Sequence, residues 1–348
     1  MKKKKWCSFF LAVCLCAFML SGCGTGKSSQ SEDNSKKTEQ KEDNSEKEAV
    51  ENTADTSERT GVRIGALKGP TAMGMAQMLD DTQYEFSIAA SPDEIVPLIV
   101  QGQLDIAAVP ANLSSVLYQK TNKQVSVMAV NTLGILYLVE NGEAVKTAED
   151  LKGKTIYASG KGATPEYALN YVLSANGIDP RKDVTIEYKS EHAEVVAALA
   201  ADQTAVGLLP QPFVTTALMK NKGLRVALDL NDLWESSQEE GSRLVTGVII
   251  VRNEFLQENP EKVNKFLDAY KASVDFVNSD AEAASVIIDA HDIVAKEVAV
   301  KAIPECSITF VEGQEMKTML SGYLETLLDQ NPETIGGAMP DDDFYFQR

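Results

Sequence analysis

The strongest constraint on the fold is a glycine loop between a strand and a helix, because this pattern occurs twice. Lys68-Gly69-Pro70-Thr71 follows one predicted strand and opens a predicted helix, and Lys161-Gly162-Ala163-Thr164 does the same in the second half. Further along each half an apolar strand ends in proline, at Ile106–Pro110 and again at Val206–Pro210. One match alone is weak, whereas both in the same order indicate two related lobes.

Short apolar runs alternate with segments of helical periodicity from Gly61 onward. The predicted strands cover residues 62–66, 104–109, 125–130, 155–158, 184–188, 205–209 and 244–251. The predicted helices cover residues 72–79, 111–120, 165–175, 191–201 and 213–220. Another helix is predicted to begin at Ser91-Pro92-Asp93-Glu94, where a capping residue precedes proline and glutamate. Strands that alternate with helices pair in parallel, so the sequence predicts a two-lobe α/β fold with a largely helical C-terminal third.

The first 60 residues are typical of an exported and anchored protein. Lys2–Lys5 form a basic start, and the apolar run Trp6–Leu20 is shorter than the roughly 20 residues that span a bilayer. Leu20-Ser21-Gly22-Cys23 resembles the bacterial lipobox, in which the cysteine is acylated, for example with palmitate. We expect a signal peptide over residues 1–22, lipidation at Cys23 and an unfolded polar tether over residues 23–60. An ordinary signal peptide or an uncleaved anchor is the alternative.

The body of the chain is acidic. The whole chain carries a formal charge of −18, and the four lysines near its start are balanced by four excess acidic residues between residues 24 and 60. The body therefore also carries −18, which disfavours binding of nucleic acid. Cys306 is the one cysteine beyond Cys23, so no disulfide framework is expected and Cys306 is interpreted as a buried thiol.

Each glycine loop is a candidate anion site. The first N–H groups of a helix lack partners within the helix, and the helix dipole favours negative charge there. Gly69 and Gly162 would let the backbone approach a ligand closely, while Thr71 and Thr164 would cap a helix or face the ligand. Both loops could instead be simple tight turns.

Signatures of catalysis are missing from the sequence. His192 and His291 each fall in a predicted helix without a second ligand at a metal-binding spacing. The chain contains no Gly-x-Ser-x-Gly, and Asp341-Asp342-Asp343 is interpreted as a solvated turn. We expect a protein that is not an enzyme and that holds no cofactor and no metal.

Four segments resemble the substrate-binding proteins of the nitrate/sulfonate/taurine group of ABC importers. They are Ile64–Thr71, Val109–Asn112, Asp150–Lys154 and Leu209–Phe213. The resemblance covers about residues 61–346. It implies a type II periplasmic-binding fold, in which two lobes joined by two crossovers close over a ligand about a hinge.

The crossovers are expected near residues 131–140 and 244–251. The first lobe would then comprise residues 61–134 plus 250–348, and the second would comprise residues 135–249.

The resemblance also implies ligand contacts on loops of both lobes. The residues expected to contact ligand are Gly69, Pro70, Thr71, Asn112, Asn131, Thr132, Gly162, Ala163, Thr164 and Gln211. Each of the amides could instead cap a helix or complete a turn. None of these loops carries an arginine to pair a sulfonate or carboxylate, and Arg243 is the nearest candidate. Whether Lys68, Lys161 or Arg243 contacts the ligand stays open at this point.

These expectations combine into one functional hypothesis. The protein would be a monomeric lipoprotein on the extracytoplasmic face of the cell membrane. It would bind a small anionic or polar organic solute and deliver it to an ABC permease and its ATPase. The nearest alternative is a binding protein for a thiamine-pyrimidine precursor, with Tyr167, Phe213 and Trp234 as the available rings. An enzyme on the same fold, or an adhesion or signalling lipoprotein, is a further alternative.

Overall fold

The computed structural model describes residues 61–237 and 242–348, all within one compact unit. The expected signal peptide over residues 1–22, the lipidation at Cys23 and the tether over residues 23–60 lie outside the described residues. In the described part of the chain no helix is both long and apolar enough to cross a membrane.

The strands fall into two sheets. They are β1 (Val62–Leu67), β2 (Tyr84–Ala89), β3 (Ile106–Pro110), β4 (Val125–Thr132), β5 (Leu136–Asn141), β6 (Thr155–Ser159), β7 (Thr185–Lys189), β8 (Val206–Pro210), β9 (Leu224–Asp229), β10 (Gly247–Arg252) and β11 (Ile308–Val311). The six-stranded sheet has the order β11-β4-β10-β3-β1-β2, and the five-stranded sheet has the order β7-β6-β8-β5-β9.

Helices cover both sheets. They are α1 (Pro70–Met73), α2 (Pro92–Val100), α3 (Ala111–Lys120), α4 (Thr164–Ala175), α5 (His192–Ala201), α6 (Phe213–Lys220), α7 (Leu230–Glu235), α8 (Asn253–Glu258), α9 (Pro260–Ser279), α10 (Ala281–Ala290), α11 (Lys296–Ala302) and α12 (Gly313–Gln330). Short 3-10 turns lie at Ala76–Met78, Ala148–Leu151, Ile303–Glu305, Pro332–Ile335 and Asp342–Phe344. We call the six-stranded sheet with α1–α3 and α8–α12 lobe 1, and the five-stranded sheet with α4–α7 lobe 2.

The duplication predicted from the sequence is visible in the strand pairing. The order β2-β1-β3-β10-β4 in lobe 1 is matched by β7-β6-β8-β5-β9 in lobe 2. β1 in lobe 1 and β6 in lobe 2 each pair in parallel with two neighbours. The strands that enter from the other lobe, β10 and β5, pair antiparallel with β3 and β8. Pro110 pairs with Gly247 in one sheet and Pro210 with Leu136 in the other. The two-lobe α/β fold is therefore confirmed.

The chain passes between the sheets twice. It leaves lobe 1 after Thr132 and enters the second sheet at Leu136, and it returns to the first sheet at Gly247. The return strand thus begins before residue 250, where the sequence placed the boundary. The division into residues 61–134 plus 250–348 and 135–249 remains a proposal.

Helix ends follow local sequence signals. In α2, Ser91 and Glu94 form a reciprocal capping box, and Pro92 occupies the first helical position, as predicted. In α9 the buried residues recur at helical spacing along one face: Val263, Phe266, Leu267, Tyr270, Val274 and Val277. This face places the C-terminal third of the chain against the core of lobe 1.

The helix predicted over residues 72–79 is wrong in its extent. Helix α1 ends at Met73, and a 3-10 turn follows over Ala76–Met78. Met73, Met75 and Met78 are all buried in the same apolar cluster. A continuous helix turns about 100° per residue and would place Met73 and Met75 on opposite faces, so the break lets both reach the core.

Candidate ligand-binding site

A cavity of about 240 Å³ lies where loops of both lobes meet. It is formed at the carboxyl ends of β1, β3, β6 and β8, where ligands of open α/β sheets bind. Its lining residues are Leu67, Lys68, Gly69, Pro70, Thr71, Pro110, Thr132, Ile135, Leu136, Ala163, Thr164, Pro165, His192, Pro210, Gln211, Pro212, Phe213 and Thr246. Both glycine loops therefore border the same space.

Seven of the ten residues expected to contact ligand line this cavity. They are Gly69, Pro70, Thr71, Thr132, Ala163, Thr164 and Gln211. The structure does not place Asn112, Asn131 or Gly162 in the lining. A ligand role for any of the ten remains a prediction.

The three residues outside the lining bond to the protein itself. Asn112 donates from Nδ2 to the carbonyl oxygen of Thr334 (3.2 Å) and accepts at Oδ1 from Thr164 (3.3 Å). Asn131 accepts at Oδ1 from the Thr132 hydroxyl (3.2 Å) and is fully buried. The N–H of Gly162 donates to Glu166 Oε2 (2.6 Å).

The basic residues near the site are held by other groups. Lys68 lines the cavity, but its Nζ lies 2.8 Å from Asp292 Oδ2. Lys161 Nζ lies 5.8 Å from the ring centroid of Tyr188, and Arg243 pairs with Glu235. The described lining contains no arginine and no carboxylate, so its surface is nearly neutral despite the acidic body.

Most hydroxyl groups in the lining are already used. Thr71 donates to the carbonyl oxygen of Leu67 (2.8 Å), and Thr246 donates to that of Leu133 (2.6 Å). Gln211 is different. Its Oε1 accepts from the N–H (3.2 Å) and the hydroxyl (2.9 Å) of Thr215, which fixes the orientation of the amide. The two Nε2 hydrogens are not used by any described residue and are therefore available to a ligand.

A family model described as NMT1/THI5 like matches residues 85–284, more than half of the chain. The chain belongs to the NMT1/THI5-like family. The resemblance to solute-binding proteins inferred from the sequence is thereby confirmed.

Three proteins illustrate what this NMT1/THI5-like protein is similar to. YtlA of Bacillus subtilis, named as a binding protein without a stated ligand, is 28% identical over 125 residues, which is 36% of this chain and 35% of YtlA. The chain thus spans about a third of that relative's length. An ABC transporter structure from Parabacteroides distasonis superposes with a TM-score of 0.70 at 23% identity, covering 83% of this chain and 99% of that one. The periplasmic aliphatic sulphonate binding protein SsuA from Escherichia coli superposes with a TM-score of 0.66 at 17% identity, covering 83% and 92%. These structures show the type II periplasmic-binding fold.

His192 is a lining residue of this NMT1/THI5-like protein that sequence reasoning missed. It is the first residue of α5, and its ring centroid lies 4.7 Å from that of Phe213. Its Nδ1 is hydrogen-bonded to the hydroxyl of Ser159. Burial lowers the pKa of His192 to about 4, so the imidazole is neutral at ordinary pH. Metal and catalytic spacings do not reveal His192. The signal that could have revealed it is its position at the start of the helix that follows β7, with only Ser190 and Glu191 between the strand and the helix.

The Ser159–His192 pair does not complete a catalytic site in the described part of the chain. Ser159 is 2% exposed and is not part of the lining, so its hydroxyl lies behind the histidine rather than in the cavity. No carboxylate of the described lining orients the ring. Among the residues described, no group of three or more metal-ligating side chains occurs. The arrangement offers the Gln211 amide and the His192 imidazole as hydrogen-bonding groups in a largely apolar space, in which Lys68 is paired and the threonine hydroxyls are bonded to the protein.

Proposed function

We propose that this protein is the solute-binding component of an ABC importer and that it binds a small polar or anionic organic solute in the interlobe cavity. The observation that carries the proposal is the cavity itself, because it is bordered by equivalent loops of two lobes and would close when they move together. The family and fold support the same function. We propose reversible binding without turnover, followed by delivery to a permease and its ATPase.

The lining narrows the chemistry of the solute. Five prolines, two leucines, an isoleucine and a phenylalanine form most of its apolar surface, and Gln211 and His192 supply its free polar groups. A solute with an apolar part and one polar head fits this lining better than a small, strongly charged ion. Anionic heads would rely on helix-start N–H groups and on Lys68.

A planar nitrogen heterocycle is the second candidate. The His192 and Phe213 rings both border the cavity and could stack on such a ligand. Tyr167 and Trp234, the other rings considered from the sequence, are not part of the lining. Pyrimidines therefore belong in the same screen as sulfonates.

A thermal-shift screen of the full chain tests the proposal. The compounds are taurine, butanesulfonate, nitrate, short carboxylates and simple pyrimidines. At a concentration of 100 times Kd, a ligand should stabilise the native state by about 2.7 kcal/mol and raise Tm. A screen in which none of these compounds raises Tm contradicts the proposal, and so does conversion of a stabilising compound to product, followed by mass spectrometry.

Two tryptophan variants make the screen specific to the cavity. Ala163 lines the cavity with extended backbone, so Ala163→Trp fills the space without backbone strain and should abolish the Tm shift. Ala90 is exposed and not part of the lining, so Ala90→Trp should keep it.

We also propose that the protein is a monomer anchored outside the cytoplasm through acylated Cys23. The lipobox-like segment before Cys23 supports this location. Cys23→Ser should move the protein from the membrane fraction to the soluble fraction, and an unchanged membrane fraction would contradict the anchor.

A further inference from the structure

Thr164 of lobe 2 is hydrogen-bonded to two side chains of lobe 1. Its Oγ1 lies 3.3 Å from Asn112 Oδ1, at the start of α3, and 3.1 Å from the hydroxyl oxygen of Tyr323, in α12. Thr164 is 6% exposed and Tyr323 is fully buried. These bonds cross the cleft at a residue that also lines the cavity.

The donors and acceptors of this cluster form one consistent chain. Asn112 uses Nδ2 to donate to the carbonyl oxygen of Thr334, which leaves Oδ1 as an acceptor. Thr164 therefore donates to Asn112, and the Tyr323 hydroxyl donates to Thr164. The hydrogen bonds therefore run in one direction, from the Tyr323 hydroxyl to Thr164, from Thr164 to Asn112, and from Asn112 to the carbonyl oxygen of Thr334.

The surroundings of the cluster are apolar. The ring of Trp234, in α7 of lobe 2, is fully buried, with its centroid 5.7 Å from that of Tyr323 and 4.5 Å from that of Tyr171. Trp234 and Tyr323 belong to one continuous apolar cluster to which both lobes contribute. A hydrogen bond in such surroundings is strong, and a polar group left without its partner there is costly.

The corresponding threonine of lobe 1 makes no such bond. The Thr71 hydroxyl donates to the carbonyl oxygen of Leu67 and accepts from its N–H (3.3 Å), both within lobe 1. Thr71 also lines the cavity. The two threonines thus share a position beside the ligand space, but Thr164 alone of this pair connects the lobes.

We propose that Tyr323, Thr164 and Asn112 form a latch that holds the two lobes together on the side of α4 and α12. The inference rests on the proposed function, because it assigns Asn112 and Tyr323 as positioning residues that set ligand affinity through closure. They do so without lining the cavity themselves. Separation of the lobes would expose the three polar groups to water, whereas removal of the Thr164 hydroxyl leaves two of them buried and unpaired in the closed state.

Thr164→Val tests the latch without any ligand. The substitution keeps the shape of the side chain and removes its hydroxyl, so the closed state should lose about 5- to 30-fold in population relative to the open state. The full chain contains two tryptophans, so a Trp6→Phe background leaves Trp234 as the reporter. We expect red-shifted Trp234 emission and stronger quenching by acrylamide. Hydrogen exchange in α4 and α12 should become faster by the same factor.

Three variants serve as matched controls. Thr71→Val should leave Trp234 emission and hydrogen exchange of α12 unchanged. Thr164→Ser keeps the hydroxyl and should stay closed. Tyr323→Phe removes one of the two bonds of Thr164 and should open the cleft partly. If Thr164→Val does not fold, this variant tests the latch by the same fluorescence and exchange measurements.

Two results would overturn the latch. One is unchanged Trp234 quenching in both Thr164→Val and Tyr323→Phe, and the other is equal opening in Thr71→Val and Thr164→Val. A screen that yields no ligand would contradict the proposed function but not the latch, since the fluorescence and exchange measurements use no ligand. Where taurine, a sulfonate or a pyrimidine does bind, its Kd should weaken in Thr164→Val by a factor similar to the loss of closed state.

Discussion

The two glycine loops show how one sequence pattern can be fixed in two different ways. The loop of lobe 1 leads into α1, a helix of four residues, whereas the loop of lobe 2 leads into α4, a helix of twelve. Thr71 is the second residue of its helix and bonds to its own strand, while Thr164 is the first residue of its helix and bonds across the cleft. The repeated residues thus occupy similar places beside the cavity but hold different partners.

The two lobes share their strand order, but the contacts of their glycine loops differ. Strand order and the placement of loops at one edge of each sheet are the same in both lobes. The contacts behind the loops differ because α12, which follows the second crossover, packs beside α4 and supplies Tyr323. The buried Thr164 side chain of the lobe 2 loop therefore bonds to lobe 1. The lobe 1 loop instead makes an exposed ion pair within its own lobe, between Lys68 and Asp292.

The largest expected effect concerns Trp234 of lobe 2, which packs against Tyr323 of lobe 1. Trp234→Ala removes a fully buried ring between Tyr171 and Tyr323. We expect the free energy of unfolding, measured in urea, to fall by about 3–5 kcal/mol, the usual cost of truncating a buried tryptophan or phenylalanine. Val286→Ala, at a half-exposed position on α10, should change it by less than about 0.5 kcal/mol. A loss below about 1 kcal/mol for Trp234→Ala would show that the lobes are not joined through this ring.

Much of the fold could be predicted because its signals are local. Buried strands β3, β4, β6 and β8 appear as apolar runs close to their observed bounds, and Ser91 and Pro92 mark the start of α2. Strands β2, β5, β9 and β11 were not predicted, and β5 overlaps the region expected to be a crossover, residues 131–140. β2 (Tyr84–Ala89) and β9 (Leu224–Asp229) both carry a period-two pattern that could have been recognised, whereas β11 has only four residues and is too short to show one.

The candidate site was predictable only to the level of its loops. Parallel strands bring their carboxyl-end loops to one edge of each sheet whatever their side chains. Loops from these edges of both sheets border one cavity, which is why Gly69 of lobe 1 and Ala163 of lobe 2 lie in the same lining. The partners of the amides were not predictable. Asn112 bonds to Thr164 and Thr334, residues 52 and 222 positions away in sequence, and no local pattern encodes such contacts.

The second prediction concerns the first residue of the helix that follows β2 in lobe 1 and of the helix that follows its counterpart β7 in lobe 2. These residues are Pro92 and His192. Burial holds the pKa of His192 at about 4, below its ordinary value near 6.5. Between these values the unfolded chain binds the proton and the folded chain does not, so stability is lost as pH falls from 6.5 towards 4. The histidine should account for roughly 1–3 kcal/mol of that loss, since each pKa unit is worth about 1.4 kcal/mol.

Urea unfolding at pH 7 and pH 5 measures this contribution. His192→Gln should reduce the loss of stability between the two pH values, while Val286→Ala, at an exposed and non-titrating position on α10, should leave that loss unchanged. Equal pH dependence in the wild type and in His192→Gln would mean that the imidazole is not held neutral. The replacement of proline by histidine at this helix start would then have no effect on the pH dependence of stability.

The smallest expected effect concerns the surface tie of the lobe 1 loop. Asp292 is 98% exposed and pairs with Lys68, the one cation of the described lining. The Lys68 ammonium lowers the pKa of Asp292, but an exposed pair adds little to stability, so Asp292→Asn should shift Tm by no more than about 2 °C. If the proposed function is correct, the pair would instead compete with an anionic solute for Lys68. At low salt, Asp292→Asn should therefore lower the Kd of an anionic ligand by about two- to fivefold, measured by calorimetry with whichever sulfonate or carboxylate stabilises the protein. The gain should shrink in 0.5 M NaCl because salt screens exposed charges.

Lys68→Met serves as the control, because it should raise the same Kd and make it insensitive to a second change at Asp292. If Asp292→Asn has no effect on the Kd of any anionic compound, Lys68 belongs to the surface of lobe 1 alone, and the loop of lobe 1 contributes to the cavity only through its backbone and its apolar side chains.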